Sequence, residues 1–167
     1  MIRLILTRHA KSDWDDPLLE DIDRTLNARG REGAARIGAW LAEKGYLPDL
    51  VLCSAAARTR ETWELIAAEL PTRPEAQFLQ DLYLAAPEQI LSALHSATGS
   101  TVMLIAHNPG CGLAAAALAR QPLNTARFQK YPTAATTVLE FDIPDWSKLD
   151  WGQGEIIDFT TPRELQP

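Results

Sequence analysis

Short apolar runs alternate with helical segments along most of this 167-residue chain, and this alternation restricts the folds open to it. The first run, Ile2 to Thr7, has no polar alternate residue, which is typical of a strand buried in a parallel sheet. Asn27 then predicts a helix N-cap, and apolar residues at helical spacing continue to about Lys44, where Gly45 ends the helix. The pattern predicts an α/β fold with a mostly parallel sheet and helices on both faces.

The remaining elements continue the alternation until the C-terminal part of the chain. There, two predicted strands are separated by a loop rich in Pro, Asp, Trp and Gly, so we expect an antiparallel pair at the sheet edge. No repeat or linker interrupts the sequence, and residues 1–167 are expected to form a single domain. The further predicted strands are Asp49 to Cys53, Ala76 to Leu79, Thr101 to Ala106, Thr136 to Phe141 and Glu155 to Thr160. The further predicted helices are residues 57 to 70, a segment from after Pro87 to about Ser96, and Pro109 to Leu118 with Asn108 as N-cap.

The composition argues against several classes of protein. A hydrophobic content of 46% with 23% charged residues is ordinary for a globular chain. The net charge of −6 argues against a general nucleic-acid binder, and no apolar stretch approaches the ~18 residues of a membrane helix. The N-terminus lacks a signal-peptide pattern, and Cys53 and Cys111 are too few for a disulfide scaffold. We expect a cytoplasmic monomer with reduced thiols and no nucleic-acid or membrane partner.

Three predicted strands end in polar side chains that can meet in space. Arg8 and His9 follow the first strand, Ser54 follows the second, and His107 follows the fourth. Ligands of open α/β sheets bind just past the carboxyl ends of the strands. Arg58 lies four residues beyond Ser54, in the first turn of the next predicted helix. Two arginines and two histidines are therefore expected to form a pocket for a dianionic, tetrahedral group.

Each of these residues also has a purely structural interpretation. A single Arg or His at a strand end is more often a surface residue, and Asn108 with Pro109 can serve only to begin a helix. The acidic loop from Asp13 to Asp23 is expected to be a solvated surface, and His95 a solvated helix residue. The functional interpretation depends on the same pattern recurring at several strand ends.

Other catalytic motifs fail on inspection of the sequence. Cys53 and Arg58 are separated by four residues, one fewer than in the phosphate loop of cysteine-dependent phosphatases. The sequence contains neither a P-loop nor a nucleophile elbow. No His, Asp and Glu set has metal-ligand spacing, and His107 with Cys111 alone is a weak signal. We expect neither a metal nor another cofactor.

The ordered set of motifs resembles the histidine phosphatase superfamily, which implies a phosphoglycerate mutase-like fold. The motifs that carry this resemblance are Arg8-His9-Ala10 in place of the usual Arg-His-Gly, Ser54 with Arg58-Thr-Arg-Glu-Thr, and His107-Asn-Pro-Gly. Residues 23–30, 81–85 and 154–165 further resemble segments of the short SixA-type phosphohistidine phosphatases. The similarity therefore covers nearly the whole chain.

The resemblance implies that His9 is the nucleophile and becomes phosphorylated. Larger relatives use a carboxylate near the exit of the third strand as general acid, and Asp81 lies in about that place here. Phosphoryl transfer needs an in-line nucleophile and fixed positive charge around the oxygens, which arginines supply without a metal. The residues implied to hold the phosphoryl group are Arg8, Arg58 and His107, and Ser54 and Asn108 complete the expected phosphate-binding set.

The length of chain available to cover the pocket bears on the substrate. Larger relatives insert segments after the third strand that roof the pocket over small metabolites, whereas 20 residues separate Asp81 from Val102 here. An open pocket suits a phosphorylated protein side chain better than a small sugar phosphate. We therefore expect a phosphatase that acts on phosphohistidine in a partner protein. The alternatives are a phosphatase for small phosphomonoesters and a non-catalytic phosphate-binding module on the same fold.

Overall fold

Six strands form one mixed sheet in the computed structural model, which describes residues 1–166. The strands are β1 (Ile2–Arg8), β2 (Leu50–Ser54), β3 (Glu75–Leu79), β4 (Thr101–Ala106), β5 (Thr136–Phe141) and β6 (Glu155–Thr160). Their order across the sheet is β3-β2-β4-β1-β5-β6. The first four of these are parallel, whereas β5 is antiparallel to β1 and β6 is antiparallel to β5. The predicted parallel sheet with an antiparallel C-terminal edge pair is confirmed.

Helices connect the strands and cover the sheet. The α-helices are α1 (Ala28–Lys44), α2 (Ala57–Ala67), α3 (Pro87–His95), α4 (Gly110–Leu118) and α5 (Ala126–Lys130). Single turns of 3₁₀-helix lie at Asp21–Asp23, Gln80–Leu82, Trp146–Lys148 and Pro162–Leu165. None of the helices in residues 1–166 has the length and apolar character that crossing a lipid bilayer requires.

The two faces of the sheet bury two separate hydrophobic clusters. Successive strand residues point to opposite faces, so Leu4 and Leu6 join one cluster while Ile5 joins the other. The Ile5 cluster is covered by α1 and α2, for example through Trp63. The opposite cluster is covered by α3, α4 and α5, for example through Phe128. Helices on both faces leave the carboxyl ends of the parallel strands as the place where polar side chains can gather.

The ends of two predicted elements differ from the structure by local hydrogen bonding. The helix expected over residues 57 to 70 ends at Ala67, because Glu69 and Leu70 donate their N–H groups to carbonyls three residues back and tighten the final turn. β2 begins at Leu50 rather than at Asp49. The Asp49 carboxylate instead accepts the N–H groups of Ser100 and Thr101, which ties the starts of β2 and β4 together.

Two differences concern the helices near the site. α4 begins at Gly110 rather than at the predicted Pro109, and Asn108 is not its N-cap residue, although Asn108 Oδ1 still accepts the Gly112 N–H at 3.2 Å. The sequence analysis missed α5, which has only five residues and therefore no readable periodicity. Its start is set by Thr125, whose hydroxyl accepts the Phe128 N–H at 3.3 Å.

A close backbone approach fixes α1 against the loop that follows β1. Asn27 caps the helix as predicted, since its Oδ1 accepts the Gly30 N–H at 2.8 Å. A Cβ at Gly30 would lie 2.0 Å from the carbonyl oxygen of Lys11, which also accepts the Asn27 N–H. Only glycine fits this helix position, so the approach holds Lys11 and the preceding residues in place.

We expect Gly30→Ala to destabilise the protein by about 1–3 kcal/mol, because the added methyl group overlaps a backbone carbonyl. In an ordinary helix position the same change would stabilise by about 1 kcal/mol. The control is Ala39→Gly at an exposed position of α1, which is expected to lose about 1 kcal/mol from helix propensity alone. Urea unfolding measures both free energies, and a Gly30→Ala protein as stable as the wild type would contradict the packing argument.

Candidate active site

The carboxyl ends of β1, β4 and β2 bring two histidines and a serine together. These strands are neighbours, and the His9 N–H donates to the Ala106 carbonyl at 3.1 Å just beyond the β1–β4 ladder. The ring centroids of His9 and His107 are 5.3 Å apart. His107 Nε2 lies 2.7 Å from Ser54 Oγ. The structure therefore brings together the strand-end residues that the sequence singled out.

Arg8 is held from one side by the segment that precedes β5. Its Nη1 donates to the Tyr131 carbonyl at 3.2 Å, and Asn108 Nδ2 donates to the same oxygen at 2.9 Å. Arg8 Nε is buried and has no hydrogen-bond partner among residues 1–166. Asn108 also donates to the Lys130 carbonyl at 3.3 Å, so both hydrogens of its amide are engaged. The predicted phosphate contact of Asn108 stays a prediction, whereas its role in holding this segment is direct.

Arg58 reaches the same end of the sheet from the first turn of α2. The residue is 3% exposed, and it donates from Nη1 to the Asp21 carbonyl at 2.7 Å and from Nη2 to Asp21 Oδ2 at 3.0 Å. Its Nε is buried without a partner among the described residues. α2 is attached to the site because the Ala10 N–H donates to the Thr62 hydroxyl at 3.0 Å. Two guanidinium groups, that of Arg58 buried and that of Arg8 partly buried, thus lie beside the histidines.

The acidic loop contributes a residue that the sequence analysis did not select. Asp21 pairs with Arg58 and also with Arg24, whose Nε lies 3.4 Å from Asp21 Oδ1. Tyr83 donates its hydroxyl to Asp21 Oδ2, and its ring packs edge-on against His107 at a centroid distance of 5.4 Å. Asp21 is exposed, as expected of a solvated loop, but it also pairs with Arg58, which the sequence analysis did not foresee. The available signal was the number of carboxylates in a loop close to His9, but nothing in the sequence distinguishes Asp21 from its neighbours.

Asp81, the predicted general acid, is not tied to this cluster. It lies in the exposed 3₁₀ turn after β3 and makes no side-chain hydrogen bond or ion pair with the described residues. The neighbouring Tyr83 is the member of this segment that contacts the site. The role of Asp81 therefore stays a prediction.

Burial and the two arginines keep both histidine rings neutral. Burial lowers the pKa of His9 to about 3, and the charge of Arg8 adds to this effect. Burial also lowers the pKa of His107 to about 4, with the charge of Arg58 as the next cause. A phosphate dianion would offset the positive charge of the two arginines and so make protonation of His107 less unfavourable, which suits a hydrogen-bond donor.

The hydrogen bonds specify which ring nitrogen carries the proton. His9 Nδ1 lies 2.7 Å from the Ala10 carbonyl, which can only accept, so Nδ1 is protonated and Nε2 keeps its lone pair. Ser54 Oγ accepts the Ala56 N–H at 3.3 Å and can direct its own hydrogen to His107 Nε2. The other ring nitrogen of His107, Nδ1, is buried and has no hydrogen-bond partner in residues 1–166. The cluster therefore offers one nucleophilic nitrogen and several donors.

Neither cysteine nor a metal cluster competes with this arrangement in the described part of the chain. Burial raises the pKa of Cys53 to about 12, so its thiol stays protonated near neutral pH. Within residues 1–166, no group of three or more His, Cys, Asp and Glu side chains has a geometry that could hold a metal ion.

Comparison with known proteins agrees with this geometry. The family model described as histidine phosphatase superfamily (branch 1) matches residues 4–83. An uncharacterized chloroplastic protein of Arabidopsis thaliana is 39% identical over 127 residues, which are 70% of this chain and 58% of that protein. An uncharacterized protein of Mycobacterium leprae is 30% identical over 165 residues and is covered over 99% of its length, with 93% of this chain.

A solved structure extends the likeness to the fold. It is assigned to the phosphohistidine phosphatase SixA from Agrobacterium tumefaciens, is 29% identical and has a TM-score of 0.79, with 96% of this chain and 98% of that chain covered. This chain, with its sheet order, its paired histidines and its two arginines, is thus similar to that SixA structure over nearly its whole length. The chain belongs to the histidine phosphatase superfamily, with a SixA-like fold.

Proposed function

We propose that this protein is a phosphatase that hydrolyses phosphohistidine in a partner protein through a phosphorylated His9. The observation that carries the proposal is that His9 Nε2, which keeps its lone pair, shares one cluster with Arg8, Arg58 and His107, each of which has a buried side-chain nitrogen without a hydrogen-bond partner in residues 1–166. Phosphoryl transfer needs a positioned nucleophile and fixed donors around the equatorial oxygens. This cluster supplies both.

The reaction proceeds in two displacements. In the first, His9 Nε2 attacks phosphorus, a P–N bond to His9 forms, and the P–N bond to the substrate imidazole breaks as that ring accepts a proton. In the second, water attacks phosphorus, the bond to His9 breaks, and inorganic phosphate leaves. Arg8, Arg58 and His107 hold the transferring oxygens in both steps, since fixed N–H donors in a buried site stabilise the developing charge.

The same charges are the reason that we propose a metal-independent reaction. A bound metal ion would neutralise phosphoryl oxygens, and in this site two permanently charged guanidinium groups can perform that task. Ser54 acts indirectly, because its hydroxyl lies 2.7 Å from His107 Nε2 and fixes the orientation of that ring. Asn108 likewise holds the Tyr131 carbonyl that receives Arg8.

The chain around the cluster favours a protein substrate. The segment between the turn at Gln80–Leu82 and β4 contains α3, which packs against α4 and the turn at Trp146–Lys148. Leu84, next to Tyr83 at the rim, is 56% exposed. A pocket with a low rim can admit a side chain presented by a folded partner, whereas a small metabolite needs several walls for specificity. The likeness to a SixA phosphohistidine phosphatase supports the same choice.

The protonation states of Asp21 and Tyr83 also suit a phosphohistidine substrate. The hydrogen bond from Tyr83 and the neighbouring Arg58 lower the pKa of Asp21, so this carboxylate is ionised near neutral pH. Burial and the Asp21 carboxylate raise the pKa of Tyr83, which keeps its hydroxyl protonated. An alkoxide leaving group benefits from a proton donor by about 10²–10⁴-fold. The imidazole of phosphohistidine leaves readily once solvent has protonated it, so it depends less on such a donor.

We expect that brief reaction with labelled substrate places phosphate on His9, in a form that survives alkali and is lost in acid. His9→Gln should abolish both label and turnover, because no other residue of the cluster replaces the nucleophile. His95→Gln is the matched control, since His95 hydrogen-bonds to the Leu149 carbonyl far from the cluster. All reactions contain EDTA. Label on Cys53, or normal turnover without any label, would overturn the assignment.

We expect the free energy of unfolding to fall as pH falls from 7 to 5. His9 and His107 stay neutral in the folded protein, whereas below the usual histidine pKa of about 6.5 the unfolded chain binds protons on both. The loss should be roughly 1–2 kcal/mol per histidine. Urea unfolding in phosphate-free buffers measures it, and a His9→Gln, His107→Gln double variant should show a much smaller loss. A double variant with an undiminished pH dependence would show that these rings are not held neutral.

Substitutions of two aspartates distinguish the need for a proton donor to the leaving group from the need to position Arg58. Asp81→Asn should slow hydrolysis of alkyl phosphates by about 10²-fold or more and hydrolysis of a phosphohistidine protein far less, since only the ester needs a proton donor. Asp21→Asn should slow both substrates by a similar factor, because it removes the carboxylate that holds Arg58. The measurement is kcat/KM on both substrates for each variant. Equal losses for Asp81→Asn would favour small phosphomonoesters as the substrate.

A further inference from the structure

A groove of about 710 Å³ lies between the start of α1, α5 and the turn at Pro162–Leu165. Six cationic side chains and one carboxylate, Glu32, line it, although the whole chain carries a net charge of −6. We call it the basic groove. Its cations are Lys11, Arg29, Arg36, Arg127, Lys130 and Arg163. Such a concentration of one sign in an otherwise acidic protein attracts anions to this place.

The charges of the basic groove are largely available to a ligand. Arg36 pairs with Glu32 at 3.8 Å, and Arg127 pairs with Glu164 at 3.2 Å. Lys11, Arg29, Lys130 and Arg163 are exposed and have no ion-pair partner among residues 1–166. These four cations therefore account for most of the groove's capacity to bind an additional anionic group.

The basic groove shares a wall with the cluster of Arg8, His9, Arg58 and His107, which we call the phosphate cluster. Lys11 follows His9 by two residues, a span of at most about 7 Å of extended chain. On the other side, the Ala134 N–H donates to the His9 carbonyl at 2.9 Å, and Ala134 also lines the groove. A polypeptide whose phosphorylated side chain reaches His9 can therefore place the residues next to it in the groove.

The surface beyond the cluster has the opposite charge. The loop from Asp13 to Asp23 approaches Arg58 and Tyr83 through Asp21, and most of its other carboxylates are exposed. The same loop exposes Trp14 by 73% and Leu18 by 92%. A uniformly anionic ligand such as a nucleic acid would be repelled by this side. A folded protein can present carboxylates to the groove and an apolar or basic surface to the loop.

We propose that the basic groove binds an acidic segment of the phosphorylated partner protein, with carboxylates beside its phosphorylated residue pairing with Arg29, Lys130 and Lys11. This inference rests on the proposed function, because it names the partner's docking segment for the same site. The groove then selects among phosphoproteins by the charge of the flanking sequence, while the cluster performs the same chemistry on each of them.

The test uses a fluorescent peptide of alternating glutamate and glycine, without phosphate, and its glutamine counterpart. The wild-type protein should bind the glutamate peptide at least about tenfold more tightly, equivalent to 1.4 kcal/mol, and added salt should weaken that binding. Arg29→Glu with Lys130→Glu should abolish the preference. Lys44→Glu with Arg120→Glu is the matched control, because it changes the net charge equally at positions outside the groove.

Three outcomes would overturn the docking proposal: no preference for the glutamate peptide, equal losses in the two double variants, or tighter binding of a single-stranded oligonucleotide than of the glutamate peptide. If the reversed charges prevent folding, Arg29→Gln with Lys130→Gln provides the same comparison. A phosphohistidine peptide with glutamate flanks should show a raised KM and an unchanged kcat in the groove variant.

A second readout separates this proposal from the catalytic one. p-Nitrophenyl phosphate occupies only the phosphate cluster, so its turnover and the labelling of His9 should persist in both double variants. If the wild-type protein shows no preference for the glutamate peptide but its His9 is labelled normally, the docking proposal is rejected and the proposed function stands. Peptide binding at the groove without any labelling of wild-type His9 rejects the proposed function and leaves the docking surface standing.

Discussion

Arg8, which is partly buried, and Arg58, which is buried, place two permanent positive charges beside His9 and His107, and the exposed Asp21 pairs with Arg58. Taking charged groups out of water is unfavourable unless hydrogen bonds replace the lost hydration. The backbone supplies part of that replacement, through the Tyr131 carbonyl for Arg8 and the Asp21 carbonyl for Arg58. The rest is left open for the oxygens of a ligand. The two charges add to the burial that lowers the pKa of both histidines, and Arg58 ties the acidic loop to the site through Asp21.

Much of the fold could be predicted because its elements are marked locally. The three strands Thr101–Ala106, Thr136–Phe141 and Glu155–Thr160 have the predicted bounds, since each is rich in β-branched, aromatic or other apolar residues and has clear flanking turns. Asn27 and Gly45 set the ends of α1 as expected. The short helix α5 and the start of α4 were not foreseen, because a few residues leave no periodicity and side-chain hydrogen bonds shift a helix start by one residue.

The residues of the candidate site likewise fall into those that could be predicted from the sequence and those that could not. Arg8, His9, Ser54 and His107 were found because adjacency in a parallel sheet converts strand ends into spatial neighbours. Asp21 and Tyr83 were not, since their contact joins two loops that are 62 residues apart in sequence. The position of a loop residue depends on tertiary contacts that no local pattern encodes. Asp81 illustrates the reverse case, in which a position in the sequence suggested a role but the side chain makes no contact with the cluster.

Tyr131 lies in a segment that contacts both the phosphate cluster and the basic groove. Its hydroxyl donates to the Leu6 carbonyl within β1 at 2.6 Å, and its own carbonyl receives Arg8 and Asn108. The residue before it, Lys130, lines the basic groove, and Pro132 beyond it does so as well. One short segment thus forms a wall of both places. A ligand bound in the groove can therefore change the affinity of the phosphate cluster for phosphate through Arg8. By thermodynamic linkage, bound phosphate then changes the affinity of the groove for its ligand by the same factor.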